Sequence, residues 1–258
     1  MMAFKTTQLN RFQAAAIHFG LSVLVGALVL FLMLGLWYPG GFFKLLGGGD
    51  LLYIIMGVDV CLGPLLTLAV YNPAKKSLKF DLSVIAALQL AALLYGANVM
   101  FQSRPAFNVL EEDVFKVTLA SDIQDKSQFL RAANIDWQSL PISGPKLIAA
   151  TAPTDAKLKE ETMKAAMAGV DWNVLPYTWV SYDSQRKVAL SHAKPLANLR
   201  KVNDQSEQVV DAFLKDEGGT EADYVYLPIV SGYVAMTAVL NAKTADFVDI
   251  IPIDAPAK

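Results

Sequence analysis

The chain has 258 residues, 54% hydrophobic and 18% charged, with 22 Lys and Arg against 24 Asp and Glu for a net charge of −2. That balance, −5 within residues 102–258, argues against nucleic-acid or anionic-lipid binding by that part of the chain, and a single cysteine, Cys61, excludes an intramolecular disulfide. With only two histidines, His18 and His192, the chain has no His/Cys cluster at metal-ligand spacing.

In chain order, the first predicted element is Ala14 to Trp37, 24 residues without Asp, Glu, Lys or Arg. At ~1.5 Å per residue it is long enough to cross a bilayer core of ~30 Å. Leu51 to Tyr71 follows, with Asp59 as its one charge, and Leu82 to Phe101 has none. Pro39-Gly40-Gly41, Gly47-Gly48-Gly49 and Asn72-Pro73 are the breakers between them. The pattern predicts three transmembrane helices in residues 1–101, without cleavage of the first as a signal peptide. Lys5, Arg11, Lys75, Lys76 and Lys79 lie on one side of these spans, against Lys44 and Arg104 on the other. The cationic bias predicts a cytoplasmic N-terminus and second loop, with the domain after Phe101 on the far side.

Residues 102–258 carry 16 basic and 21 acidic side chains, a net of −5, against +3 for residues 1–101. The second half is long enough for one domain with its own core. Phe107–Leu110 and Val114–Leu119 read as a hairpin around Glu111-Glu112-Asp113. Ser121–Ala133 reads as a helix capped by Ser121, and Lys146–Thr151 as a strand. Thr154 is the expected cap of a helix to Ala168, stopped by Gly169, and Gln205–Asp216 is a further helix ending at Gly218-Gly219. Tyr224–Val230, Tyr233–Leu240 and Phe247–Ile251 read as strands. The fold class expected is therefore a membrane protein with three N-terminal helices followed by an extracytoplasmic α+β domain with an antiparallel sheet.

Candidate chemistry is sparse. There is no G-x-S-x-G elbow, no phosphate loop and no dinucleotide fingerprint, so no catalytic residue and no cofactor is expected. His192 beside Ser191 lacks an orienting third group and reads as a surface histidine. Trp137, Trp172, Trp179 and Tyr177 read mostly as core. Asp59 stands apart, because a carboxylate inside a span costs a few kcal/mol and marks function or a buried partner. Counting from Leu51 puts it ~12 Å below the outer boundary, level with Tyr95 and within reach of Gln89, whereas His18, ~6 Å above the inner boundary, matches poorly. The expectation is a hydrogen bond from Asp59 to Tyr95 or Gln89. Gly57, Gly63 and Pro64 in the same span predict a close helix contact or a kink.

The runs Gly57-Val58-Asp59, Leu62-Gly63-Pro64-Leu65-Leu66-Thr67-Leu68, Asn72-Pro73, Lys75-Lys76-Ser77-Leu78-Lys79-Phe80-Asp81-Leu82, Leu88-Gln89-Leu90 and Tyr95-Gly96 resemble the TfpX/TfpZ family of type IV pilin accessory proteins. Arg104-Pro105, Gly144-Pro145, Gly169-Val170-Asp171, Lys194-Pro195-Leu196 and Tyr226-Leu227-Pro228 extend the likeness over nearly the whole chain. The resemblance implies a bacterial inner-membrane protein with a periplasmic domain that supports the major type IV pilin by binding, without catalysis, and it marks Asp59, Gly63, Pro64, Lys75 and Lys76 as family-typical positions. The alternative from another class is a membrane-anchored enzyme that modifies pilin or envelope material. It requires a cleft of converging carboxylates in the second domain.

Overall fold

The computed structural model describes residues 9–123, 129, 139–232 and 234–254. Most of the helix expected over Ser121–Ala133, together with Trp137 and Tyr233, falls outside them. The chain divides into two compact units: Met1–Met33 with Gly48–Phe101, and Leu34–Gly47 with the chain from Gln102 onward.

The first unit is helical. Asn10 opens α1 (Arg11–Leu32) with a capping box, its Oδ1 accepting from the Gln13 N–H at 2.9 Å while the Gln13 side chain returns to the Asn10 N–H. A π-helical stretch, Met33–Trp37, prolongs it. The middle segment is a 23-residue helical path made of α3 (Gly48–Met56), a π-helical stretch (Gly57–Leu62) and α4 (Gly63–Val70). After a turn closed by the Asn72 side chain on the Ala74 N–H, α5 runs from Leu78 to Gln102. Where the sequence predicts three spans, two helices among the described residues are long and apolar enough to cross a membrane, Arg11–Trp37 and Leu78–Gln102. The middle segment falls short as an uninterrupted apolar helix, with 14 residues from Gly57 to Val70. That run contains both the π-helical stretch and Pro64. Gly26 on α1 lets the Met56 thioether lie where a side chain would be, so the two helical stretches approach closely.

The second unit is built on an eight-stranded sheet. Its strands are β1 (Pro105–Glu111), β2 (Val114–Leu119), β3 (Lys146–Ala150), β4 (Trp179–Ser181), β5 (Lys194–Pro195), β6 (Tyr224–Ser231), β7 (Val234–Asn241) and β8 (Phe247–Ile251). They are ordered β4-β3-β1-β2-β6-β7-β8, with β5 also on β6. The expected antiparallel sheet is corrected to a mixed one, because β3 lies parallel to β1 and β2 parallel to β6. β2 ends opposite the start of β1, where Leu119 pairs with Pro105, and β3 sets off from that same end beside Phe107, so it runs in the direction of β1. Hydrophobic periodicity fixes which face a residue takes but carries no record of strand direction.

Alternation divides the core between the two faces. Leu110, Phe115, Leu227, Leu240 and Ile250 belong to one cluster, while Tyr226, Val239 and Ile251 pack with Val210 and Phe213 of α8 (Ser206–Glu217) in another. Phe107, Ile148 and Trp179 form a third, and their rings meet at 4.5 Å between Phe107 and Trp179. The helix predicted from Thr154 is α6 (Ala156–Met167), capped by Asp155 instead of Thr154, with Gly169 in the left-handed conformation after it. The sequence offered no period for β4, β5 or α7 (Arg186–His192), which are seven residues or fewer.

Leu34–Gly47 lies between two helical stretches in sequence but is part of the sheet unit. Phe42 and Leu45, on the short α2 (Phe42–Leu45), join the core cluster of Leu110 and Ile250. Phe42 stacks on Phe247 of β8 with ring centroids 6.1 Å apart. Gly41 lies so close to the Ile250 backbone that a Cβ would overlap its carbonyl, and its N–H donates to Asp249 Oδ1 at 3.2 Å. The Gly144 N–H donates to Leu36 O at 2.6 Å. The Phe42 and Gly41 contacts lay the segment against β8, the last strand in the sheet order.

Candidate functional site

The polar residues of the helical unit converge on one place, and Pro64 explains why. The Gly63 N–H donates to Val58 O, five residues back, as the π register requires. Continuing that register would place the next donor at residue 64, but proline has no N–H. The Asp59 carbonyl is thereby left without a main-chain donor, and Gln89 on α5 supplies one, Nε2 donating to Asp59 O at 3.2 Å. Gly63 completes the arrangement, since a side chain there would occupy the position of the Gln89 carboxamide. Gly63, Pro64 and Gln89 are thus parts of one device that closes a broken hydrogen-bond ladder.

The Asp59 side chain lies beside a cavity of about 220 Å³, lined by His18, Leu21, Ser22 and Val25 of α1, Asp59 itself, and Ala86, Gln89, Leu90 and Leu93 of α5. Asp59 is only 7% exposed, and its Oδ1 is buried without a hydrogen-bond partner. His18 Nδ1 is 2.6 Å from Thr67 Oγ1 on α4. Depth counting separated His18 from Asp59, yet both line this cavity. Both helices begin ahead of their predicted starts, α1 at Arg11 instead of Ala14 and the middle path at Gly48 instead of Leu51, which moves His18 and Asp59 towards each other in depth. The signal that was available is the presence of His18, Ser22, Thr67 and Gln89 as polar interruptions of apolar runs.

The other sequence candidates are dispersed. Tyr95 is 73% exposed and does not reach Asp59. It lies six residues after Gln89, which turns it about 120° around the helix. Gly57 is exposed and its Cβ position meets nothing within 4 Å, so the close contact expected there is made at Gly63. Lys75 pairs with Asp81 at 2.5 Å across the turn before α5, and Lys76 is exposed beside it.

In the sheet unit the polar groups are structural anchors. Arg104, 3% exposed, donates through Nε and Nη2 to Pro141 O at 3.1 and 2.9 Å. Burial pushes the Tyr38 hydroxyl up to about 12, with Arg104 pulling the other way. Lys116 bridges Glu111 and Asp171, each at 3.0 Å; burial disfavours its charge, but the two carboxylates outweigh that and raise its pKa. Asn173 donates its N–H to Glu111 Oε1 and its Nδ2–H to Thr118 Oγ1, pinning the segment after α6 onto the β1–β2 hairpin. Trp179 and Tyr177 are buried, Trp172 is half-buried, and His192 is exposed at the end of α7.

Residues 7–47 match the family described as Fimbrial assembly protein FimB. Over 244 residues the chain is 33% identical to the fimbrial assembly protein of serogroup I from Dichelobacter nodosus, covering 93% of this chain and 94% of that protein. It is 32% identical to the serogroup E1 protein over the same length, and 40% identical to the protein of serogroups C1 and C2 over 111 residues, 42% of this chain and 85% of that one. No solved structure matches the chain.

Proposed function

Because the chain belongs to the family of these fimbrial assembly proteins, we propose that it is a membrane-embedded accessory protein of type IV fimbrial assembly, of the TfpX/TfpZ kind, acting by binding and not by catalysis. Its partner in this reading is the major pilin. The observation that carries it is the union, in one chain, of two helices of membrane-crossing length with a separately packed sheet unit. Only 17% of the most apolar window of each helix is buried, where a soluble core helix would be mostly covered. Leu24, Leu28 and Phe31 on α1 and Phe80, Leu88 and Leu94 on α5 are exposed, the face a bilayer accepts without cost. The broken middle path spans as well in this reading, since its lost backbone bond is replaced by Gln89. The cationic bias supports a cytoplasmic Lys75-Lys76 turn and a sheet unit in the periplasm of a bacterial inner membrane.

Two measurements test the proposal. In a Cys61→Ser background, a membrane-impermeant maleimide applied to intact spheroplasts should label Asp183→Cys in the sheet unit and not Lys76→Cys; the reverse pattern sinks the orientation. In the native cell, deletion of the protein should lower major pilin in the whole-cell or the sheared-surface fraction while leaving intact pilin mass unchanged. A change in pilin mass would replace binding with modification, and no change in any fraction would end the pilin reading.

A further inference from the structure

The helical unit buries a carboxylate oxygen that no described residue satisfies. Asp59 Oδ1 has no hydrogen-bond partner, although Asp59 is more than nine-tenths buried, and the cavity of about 220 Å³ beside it is large enough for a side chain. Gln89 Nε2 donates one N–H to the Asp59 backbone carbonyl and His18 Nδ1 lies against Thr67 Oγ1, and neither pairs with Oδ1. Outside this polar centre the lining is apolar, and Leu21 and Leu90, on α1 and α5, are 60% and 56% exposed. The cavity is therefore lined by a carboxylate with one unpaired oxygen and flanked by two exposed aliphatic side chains. Asp59 is eleven residues from either end of the helical path Gly48–Val70, so the acceptor stands at its midpoint.

We propose that this cavity is an intramembrane docking site for an apolar transmembrane helix of a partner protein, which brings a hydrogen-bond donor near its midpoint to the Asp59 carboxylate. Aliphatic side chains on Leu21 and Leu90 match an apolar helix surface but not a soluble polar ligand, and an acceptor buried at the middle of the path is beyond the reach of lipid headgroups. In hydrocarbon no water competes for the acceptor, so the donor confers specificity and close packing against the lips confers area. The proposal rests on the reading that the helical unit lies in a bilayer.

The test uses the full chain reconstituted in phosphatidylcholine vesicles and two fluorescent synthetic peptides. Each is a 22-residue leucine helix with terminal lysines, one carrying asparagine at its centre and the other leucine. Energy transfer from labelled protein to peptide should show the asparagine helix binding about five- to thirtyfold more tightly. Asp59→Leu should remove that preference while leaving the leucine helix unaffected, and Leu90→Trp, which fills the lip without touching the carboxylate, should weaken both. Equal binding of the two peptides, or a preference that survives both substitutions, overturns the proposal. So does energy transfer between two labelled copies of the chain that Leu90→Trp abolishes, because the occupant is then a second copy. A chain that fails to insert, washing from the vesicles in alkaline carbonate, refutes the membrane reading itself.

Discussion

At the scale of single residues, Pro64 decides what its neighbours are for. It removes the donor that the Asp59 carbonyl would need, and Gln89 replaces that donor from another helix. Gln89→Leu should therefore destabilise the helical unit by about 1–2 kcal/mol, measured by unfolding in mixed detergent micelles. In a Pro64→Ala background residue 64 has an N–H again, and the same substitution should cost measurably less. An equal cost in both backgrounds would show that proline does not create the need for Gln89. Tyr38 and Tyr182 make a second residue-level prediction. Burial raises both hydroxyls from 10.0 to about 12, so the folded state holds protons that the unfolded state releases. Their contribution is complete below pH 10 and is lost as the pH rises towards 12. Denaturation midpoints followed over that range should fall, and Tyr38→Phe should flatten the fall; a profile unchanged by the substitution would remove Tyr38 from it.

At the scale of elements, the segment Leu34–Gly47 packs against β8 and contributes Phe42 and Leu45 to the core of the sheet unit. Phe42→Ala should cost about 3–5 kcal/mol, the usual penalty for truncating a buried phenylalanine. Gly41→Val, which drives a side chain into the Ile250 backbone, should cost about 1–3 kcal/mol and open the segment to limited proteolysis. Unchanged cleavage in Gly41→Val would show that the close approach is dispensable. Nothing in the sequence of this segment announces its role, because Phe42 and Leu45 read equally well as the apolar flank of a membrane loop. The strands were easier: β1, β2, β6 and β8 were visible as β-rich runs bounded by turn residues. Short elements such as β4 and β5 were invisible because two or three residues cannot show a period.

At the scale of the whole molecule, the division into units does not follow the order of the chain, since the sheet unit takes a piece from between two helical stretches. A fragment beginning at Gln102 lacks Tyr38, Phe42 and Leu45, and should melt below a chimera in which residues 34–47 are tethered to Gln102 through a Gly/Ser linker. The burial of three such side chains is worth about 5 kcal/mol, and equal melting temperatures would show that the segment does not contribute to that core. The sequence by itself determined two of the three expected membrane-length helices, the start of the sheet half after residue 101, the hairpins and the unusual standing of Asp59. All of these depend on local composition or on periods of 2 and 3.6 residues. Only the tertiary structure decided the parallel pairings of β1 with β3 and β2 with β6, the capture of Leu34–Gly47, and the choice of Gln89 over Tyr95 as the partner of Asp59. Each of these is a meeting of residues far apart in the chain, fixed by helix rotation and by the course of long connections, and neither is written in the pattern of any one segment.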